Sequence, residues 1–218
     1  MQYVEIAVDA LVLIALAVMA ALTLTRFRSR VELLLGIAVG ALALGAAAHL
    51  ATRILFILTE ESGRTAFGVG RFIIGAALIV FWMLMFDVWR GIFRRRVSWA
   101  MNVIVRFIAA AGIILLLFPQ NHFTLRDYPA DWAIIRSIPA VILAGLNTFL
   151  WFDRKHKLRA FRAVWIFMGL ACLFTAGSAV GIAFDQRLYL LMAPAALAFL
   201  ALAAIFLNAV VKPAEELK

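Results

Sequence analysis

The most regular feature of the sequence is a succession of long apolar runs separated by short polar connectors. A membrane-spanning helix needs about 20 mostly apolar residues, and seven stretches reach roughly that length. They cover residues 3–25, 31–58, 66–90, 97–118, 132–152, 160–183 and 188–210. The pattern predicts an all-α fold, a seven-transmembrane-helix bundle that forms a single transmembrane domain over residues 1–218.

The connectors between these runs alternate between basic and acidic. The basic connectors, residues 26–30, 90–96 and 153–162, hold 14 of the 21 lysines and arginines when the C-terminal tail is included. Lysine and arginine concentrate in the cytoplasmic loops of membrane proteins. We therefore expect the N-terminus outside, the C-terminus in the cytoplasm, and a multi-pass protein integral to the cell membrane, that is, the inner or plasma membrane.

Composition agrees with a membrane protein and argues against nucleic-acid binding. The 218 residues are 66% hydrophobic and 15% charged, with a mean hydropathy of +1.02. Soluble domains are about 45–50% apolar and about 25% charged. The net charge of +9 comes from short clusters beside the apolar runs. We assign these clusters to orientation in the lipid bilayer and to contacts with anionic lipid headgroups at the cytoplasmic loops.

Charged side chains inside the predicted spans are the first candidates for function, because each costs about 2.5–3.5 kcal/mol to insert. Arg106 lies near the middle of the fourth span, and Asn102 precedes it by one turn on the same face. This position suits an anion, carboxylate or lipid-headgroup site. It suits equally well a buried ion pair with an acid such as Asp9 or Asp87.

A second polar group is predicted between the first two spans. His49 and Arg53 lie one turn apart on the second span, at a depth comparable to that of Glu5 and Asp9 on the first. We expect the two pairs to meet across adjacent helices, as a polar pocket or as an interhelical ion pair. A proton-linked role for His49 is a further hypothesis, because histidine titrates near neutral pH.

Two more arginines lie near the outer ends of spans. Arg71 on the third span and Arg136 on the fifth could each reach the membrane interface. Together with Arg53 they could also form an electropositive vestibule that attracts anions. The full set of candidate ligand-binding residues is Glu5, Asp9, His49, Arg53, Arg71, Asn102, Arg106 and Arg136.

Small residues in two spans predict close helix packing. Gly36 and Gly40 are four residues apart in the second span, as are Gly177 and Gly181 in the sixth. In lipid, such pairs let helix backbones approach closely. We favour packing between helices of the same chain over a dimer face, and homo-oligomerisation stays open.

Several chemistries find no support in the sequence. Residues 188–210 contain no lysine for a retinal Schiff base, and His49 is the one histidine inside a predicted span. Paired-histidine haem and multi-histidine zinc sites are therefore not expected. Cys172 is the single cysteine, so an intrachain disulfide is excluded. We expect no cofactor and no metal, and we favour a protein that is not an enzyme.

Three functions from different classes fit these observations. The leading one is a membrane protein that binds or transports a small anionic or proton-coupled solute through a polar site in the helix bundle. The second is a seven-helix sensory or receptor module that signals through a cytoplasmic partner. The third is a structural or assembly subunit of a membrane complex, which would need packing faces such as the Gly36 and Gly40 stripe.

Overall fold

A computed structural model of the chain describes residues 2–59, 64–94, 97–121, 130–154, 156–157, 161, 163–184, 197–202 and 204–205. The described residues form six α-helices and one short 3-10 helix. The α-helices are α1 Gln2–Arg26, α2 Arg30–Thr59, α3 Arg64–Ile92, α4 Trp99–Leu117, α5 Ala130–Asp153 and α6 Val164–Phe184, and the 3-10 helix is Pro119–Asn121. Residues 197–202 are also helical.

Five of these helices, α1 to α5, are long and apolar enough to cross a membrane. The first five predicted spans match them to within two residues at each end, which confirms the all-helical, membrane-type architecture for this part of the chain. The sixth span was predicted to start at residue 160, but α6 starts at Val164, because Phe161 has a 3-10 conformation and Ala163 lies in a turn. Most of the seventh span lies outside the described residues.

Side-chain hydrogen bonds define the start of α2 and the end of α4. Ser29 precedes α2 and its hydroxyl accepts the Glu32 backbone N–H, while the Glu32 carboxylate accepts the Arg28 backbone N–H. This reciprocal arrangement satisfies N–H groups that the first helical turn leaves without partners. At the far end of α4, the buried Asn121 side chain donates to the Leu115 carbonyl at 2.6 Å. Both ends are thereby defined by residues adjacent to the apolar runs.

Helix α3 lies at the centre of the bundle and packs against α2, α4 and α5. Its second half is buried or partly buried on every side, as expected for a helix that is hydrophobic all round. The buried residues are Ile79, Phe81, Trp82, Met85, Phe86, Val88 and Trp89. Two interhelical hydrogen bonds join α3 to α5. Asn147 Nδ2 donates to the Trp82 carbonyl at 2.9 Å, and Trp89 Nε1 donates to the Leu150 carbonyl at 3.1 Å.

Glycines allow α2 and α3 to approach each other closely. Three of them lie against a residue of the other helix: Gly45 against Ala77, Gly70 against Thr52, and Gly91 against Val31. A Cβ atom added at Gly45 would lie only 2.6 Å from the Ala77 Cβ. The three contacts are seven and fourteen residues apart along both helices, which keeps them on one face of an antiparallel, coiled-coil-like pair. We call these three contacts the glycine seam.

The Gly36 and Gly40 stripe faces α1. A Cβ added at Gly36 would lie 2.7 Å from the Leu24 Cδ2, and one at Gly40 would lie 4.0 Å from the Ala20 Cβ. Packing inside the chain therefore accounts for this stripe. It is not the exposed face that an assembly subunit would offer to a partner. The surroundings of Gly181 lie outside the described part of the structure, so close packing at Gly177 and Gly181 stays a prediction.

Candidate functional site

Polar side chains inside the apolar helices form two clusters at opposite ends of α3. The His49 cluster consists of Asp9, His49, Arg53, Phe67 and Arg71, and the Arg106 cluster consists of Asp87, Arg90, Asn102 and Arg106. Arg71 and Asp87 are 16 residues apart on α3, which places them about 24 Å apart along the helix axis. The predicted site residues therefore do not converge on one site.

An ion pair between α1 and α2 anchors the His49 cluster. Arg53 Nη1 donates to Asp9 Oδ2 at 2.8 Å, with both side chains partly buried. This is the contact across adjacent helices that equal depth on the two spans predicts. Glu5 lies one helical turn before Asp9 on α1, but its side chain is outside the described part of the structure.

An aromatic stack links α2 to α3 within the same cluster. The Phe67 ring lies 5.6 Å from the His49 ring and nearly parallel to it. The Arg71 guanidinium lies 4.0 Å above the Phe67 centroid, within the range of a cation–π interaction. Phe56 stacks against Phe67 as well, at 5.3 Å. Phe67 therefore brings Arg71 of α3 to the same place as His49 and Arg53 of α2.

His49 contributes a buried polar atom to this cluster. Its Nδ1 is inaccessible to solvent and has no hydrogen-bond partner among the described residues. Leaving such a group unsatisfied costs about 1–3 kcal/mol. Counting His49 as neutral, the cluster holds two arginines and one aspartate, a formal charge of +1. A histidine nitrogen beside two guanidinium groups is suited to an anionic ligand that accepts or donates a hydrogen bond.

The Arg106 cluster joins α3 to α4 through ionic contacts. Asp87 accepts from Arg106 Nη2 through one carboxylate oxygen and lies 3.4 Å from Arg90 Nη1 through the other. Arg90 Nη1 also donates to Asn102 Oδ1 at 3.1 Å. Of the two interpretations of Arg106, the structure supplies the ion pair, with Asp87 as the acid. This cluster too has a formal charge of +1, from two arginines and one aspartate.

Arg136 occupies a different part of the bundle. It lies on α5, whose main neighbours are α3, α4 and α6, whereas the His49 cluster is built by α1, α2 and the first turns of α3. Helix α5 does pack against α3, which carries Arg71, so a vestibule formed jointly by Arg53, Arg71 and Arg136 stays a prediction. Arg53 and Arg71 do meet, through His49 and Phe67.

Three members of the clusters, Phe67, Asp87 and Arg90, were not among the predicted site residues. Phe67 precedes Arg71 by four residues, the spacing at which side chains on a helix are neighbours, so the sequence held a signal for it. Arg90 follows Asp87 by three residues, a spacing at which an ion pair forms on one helix face. The structure confirms that pair, and its link to Asn102 adds α4 to the contact.

Neither cluster resembles a metal centre. Within the ranges that the structure describes, no group of three or more His, Cys, Asp or Glu side chains is placed to hold a metal ion. Cys172 on α6 has a free thiol, 3.8 Å from the Val141 carbonyl of α5.

No protein family matches the chain, and no curated protein or solved structure is similar to it.

Proposed function

We propose that this protein is an integral membrane protein that binds a small anionic solute at the His49 cluster, as the recognition step of transport. An apolar bundle with five helices able to cross a membrane fits an integral membrane protein. The observation that supports solute binding is the buried, unpartnered Nδ1 of His49 beside two arginines. Seven spans, an external N-terminus and location in the inner or plasma membrane belong to the same proposal.

Charge favours an anion over a cation as the ligand. The guanidinium groups of Arg53 and Arg71 lie beside His49, and positive charge in an apolar environment attracts an anion. The Arg71 guanidinium lies over the Phe67 ring, and a guanidinium carries its N–H groups along the edge of its plane. Carboxylates and phosphates bind arginine along that edge, through two parallel hydrogen bonds. Carboxylates and phosphate esters are therefore the first ligand classes to test.

Histidine adds the means for proton coupling. His49 is the one ionisable group of the cluster that titrates near neutral pH in its unperturbed form. Binding an anion beside it would favour the protonated ring, so solute and proton would enter the cluster together. Arg106 has no part in this proposal, because it is paired with Asp87 at the other end of α3.

The first test is a binding screen on purified protein in mild detergent. Thermal unfolding would be recorded with sodium salts of small carboxylates, phosphate esters and chloride. We expect one anion class to raise the melting temperature, and the rise to be lost in His49→Ala and Arg71→Ala. His156→Ala is the matched control, because His156 is an exposed histidine in the turn before α6. The proposal fails if no anion stabilises the protein, or if His49→Ala and His156→Ala respond alike.

A second test separates transport from sensing. Protein reconstituted into liposomes would be assayed for uptake of the stabilising anion, with and without a pH gradient. Uptake that depends on His49 supports a carrier. Binding without uptake would instead support the receptor alternative, in which the bundle signals through a cytoplasmic partner.

A further inference from the structure

We propose that the Arg106 cluster binds the phosphate of an anionic phospholipid on the lipid-facing side of the α3/α4 interface. This site is separate from the His49 cluster, about 24 Å away along α3. Its failure or success is therefore independent of the proposed solute site.

The position of Arg106 on the surface of α4 gives it access to lipid. Arg106 is 40% exposed although it lies in the apolar middle of a helix able to cross a membrane. Its neighbour Phe107 is 71% exposed, and Val103 and Ile104 are exposed as well. An apolar, exposed helix face is the one that meets lipid, so the guanidinium lies at the edge of the lipid-facing surface.

The charge of the Arg106 cluster also favours an anionic ligand. Asp87 is the one acidic side chain described in contact with Arg106 and Arg90, so one positive charge of the pair is left without a counter-charge in the described structure. An uncompensated charge at this depth is costly in an apolar environment. Arg106 uses one nitrogen, Nη2, for its contact with Asp87. The guanidinium offers further N–H donors, which suit a phosphate group.

The depth of Arg106 along α4 also fits a lipid phosphate. Trp99 is the first residue of α4 and is 80% exposed, as is typical of the aromatic residues that lie at the level of lipid headgroups. Arg106 follows it by seven residues on the same face, which places its Cα about 10 Å deeper along the helix. Helical side chains lean towards the N-terminus, so the guanidinium extends back towards the Trp99 level. A lipid phosphate lies within its reach.

The surrounding residues fit this assignment. Asn102 lies between Trp99 and Arg106 on α4 and holds Arg90 of α3 through its Oδ1. Arg90 and Asp87 thereby keep the two helices together at the level of the phosphate. Arg94, two residues beyond the end of α3, is exposed and adds positive charge at the same end of the bundle. The site therefore combines a fixed guanidinium with basic surroundings, as anionic lipids require.

Native mass spectrometry of the detergent-solubilised protein tests the proposal. Phosphatidylglycerol, phosphatidylcholine and inorganic phosphate would be titrated separately, and apparent dissociation constants taken from the adduct intensities. We expect phosphatidylglycerol to bind more tightly than phosphatidylcholine. Losing a charge-assisted hydrogen bond should weaken phosphatidylglycerol binding about tenfold in Arg106→Ala. Inorganic phosphate should bind weakly and should not displace the lipid.

Two further variants keep the test decisive. Arg28→Ala removes an exposed arginine in the connector before α2, at the same end of the bundle, and should change lipid affinity less than twofold. Arg106→Lys keeps the charge and the Asp87 contact but removes the planar donor set, so it should fold and still bind several-fold more weakly. The proposal is overturned if Arg106→Ala and Arg106→Lys bind phosphatidylglycerol as the unchanged protein does. It is also overturned if Arg28→Ala lowers affinity as much as Arg106→Ala, or if inorganic phosphate displaces the lipid.

Discussion

Substituting Gly45 by alanine tests the glycine seam between α2 and α3. The added Cβ would lie 2.6 Å from the Ala77 Cβ and 3.2 Å from the Ile74 Cα. Carbon atoms pack at about 3.5–4.0 Å, so α2 and α3 must separate by about 1 Å. Both opposing atoms are fixed to the backbone and cannot turn away. Overpacking of this kind costs about 1–3 kcal/mol.

Gly145→Ala in α5 is the matched control, because a Cβ there would have no heavy atom within 4 Å. Alanine favours a helix over glycine by about 1 kcal/mol in both variants, so this term cancels in the comparison. Gly45→Ala should therefore unfold with a free energy about 1–3 kcal/mol lower than Gly145→Ala. The free energies would come from unfolding in mixed micelles with increasing SDS, followed by circular dichroism.

A compensating change sharpens the same experiment. Ala77→Gly removes the atom nearest to the new Cβ, so the double variant Gly45→Ala with Ala77→Gly should recover part of the lost stability. Equal stability of Gly45→Ala and Gly145→Ala would refute the close approach of α2 and α3 at this level. So would a double variant that is no more stable than Gly45→Ala.

Three further predictions concern the polar contacts between helices. Asp87→Asn should lower the free energy of unfolding by about 2 kcal/mol, because it leaves Arg90 and Arg106 without their acid, and adding Arg106→Gln should recover part of the loss. A double-mutant cycle of Asp9→Ala and Arg53→Ala should give a coupling energy of about 0.5–1 kcal/mol, and a value of zero would contradict the ion pair. Asn147→Leu should cost less than Asn147→Ala in SDS unfolding, because leucine fills the buried volume that alanine would leave empty.

The limits of the helices were predictable because they depend on local properties of the chain. A run of about 20 apolar residues between charged connectors defines a span without reference to the rest of the fold. The Asp9–Arg53 pair follows from the same information, because the position of a residue along its span sets its depth. Equal depth on consecutive helices was enough to predict that these two residues are in contact.

The partner of Arg106 needed information beyond depth. Arg106 was placed near the membrane midplane by counting residues, although its side chain leans back towards the start of α4. That lean brings it to the level of Asp87, five residues before the end of α3. Asp9 was an equal alternative in the sequence, but it lies at the other end of the bundle, on α1. The choice depends on which helices are neighbours, and hydropathy does not encode that.

Helix rotation explains the remaining differences. Whether Arg71 and Arg136 meet Arg53 depends on how each helix turns about its axis and on the order of helices around α3. Arg71 is turned towards His49 by its contact with Phe67, whereas Arg136 lies on α5, which packs mainly against α3, α4 and α6, and its position relative to Arg71 stays a prediction. The ligand-binding role of the eight candidate residues stays a prediction. The binding screen tests the residues of the His49 cluster, and the lipid titration tests those of the Arg106 cluster.

The glycine seam has a consequence for the order in which the chain folds. Four residues, 60–63, connect α2 to α3, and the Thr52–Gly70 contact lies nearest to that connector. Closing a short loop costs little entropy, and each later contact, at Ala77 and then at Val31, extends a pair that is already aligned. We therefore expect α2 and α3 to associate as a helical hairpin whose contacts form in order from the connector outwards. The other helices would then assemble on this early-formed pair, so substitutions near Gly70 should slow folding more than equally destabilising ones near Gly91.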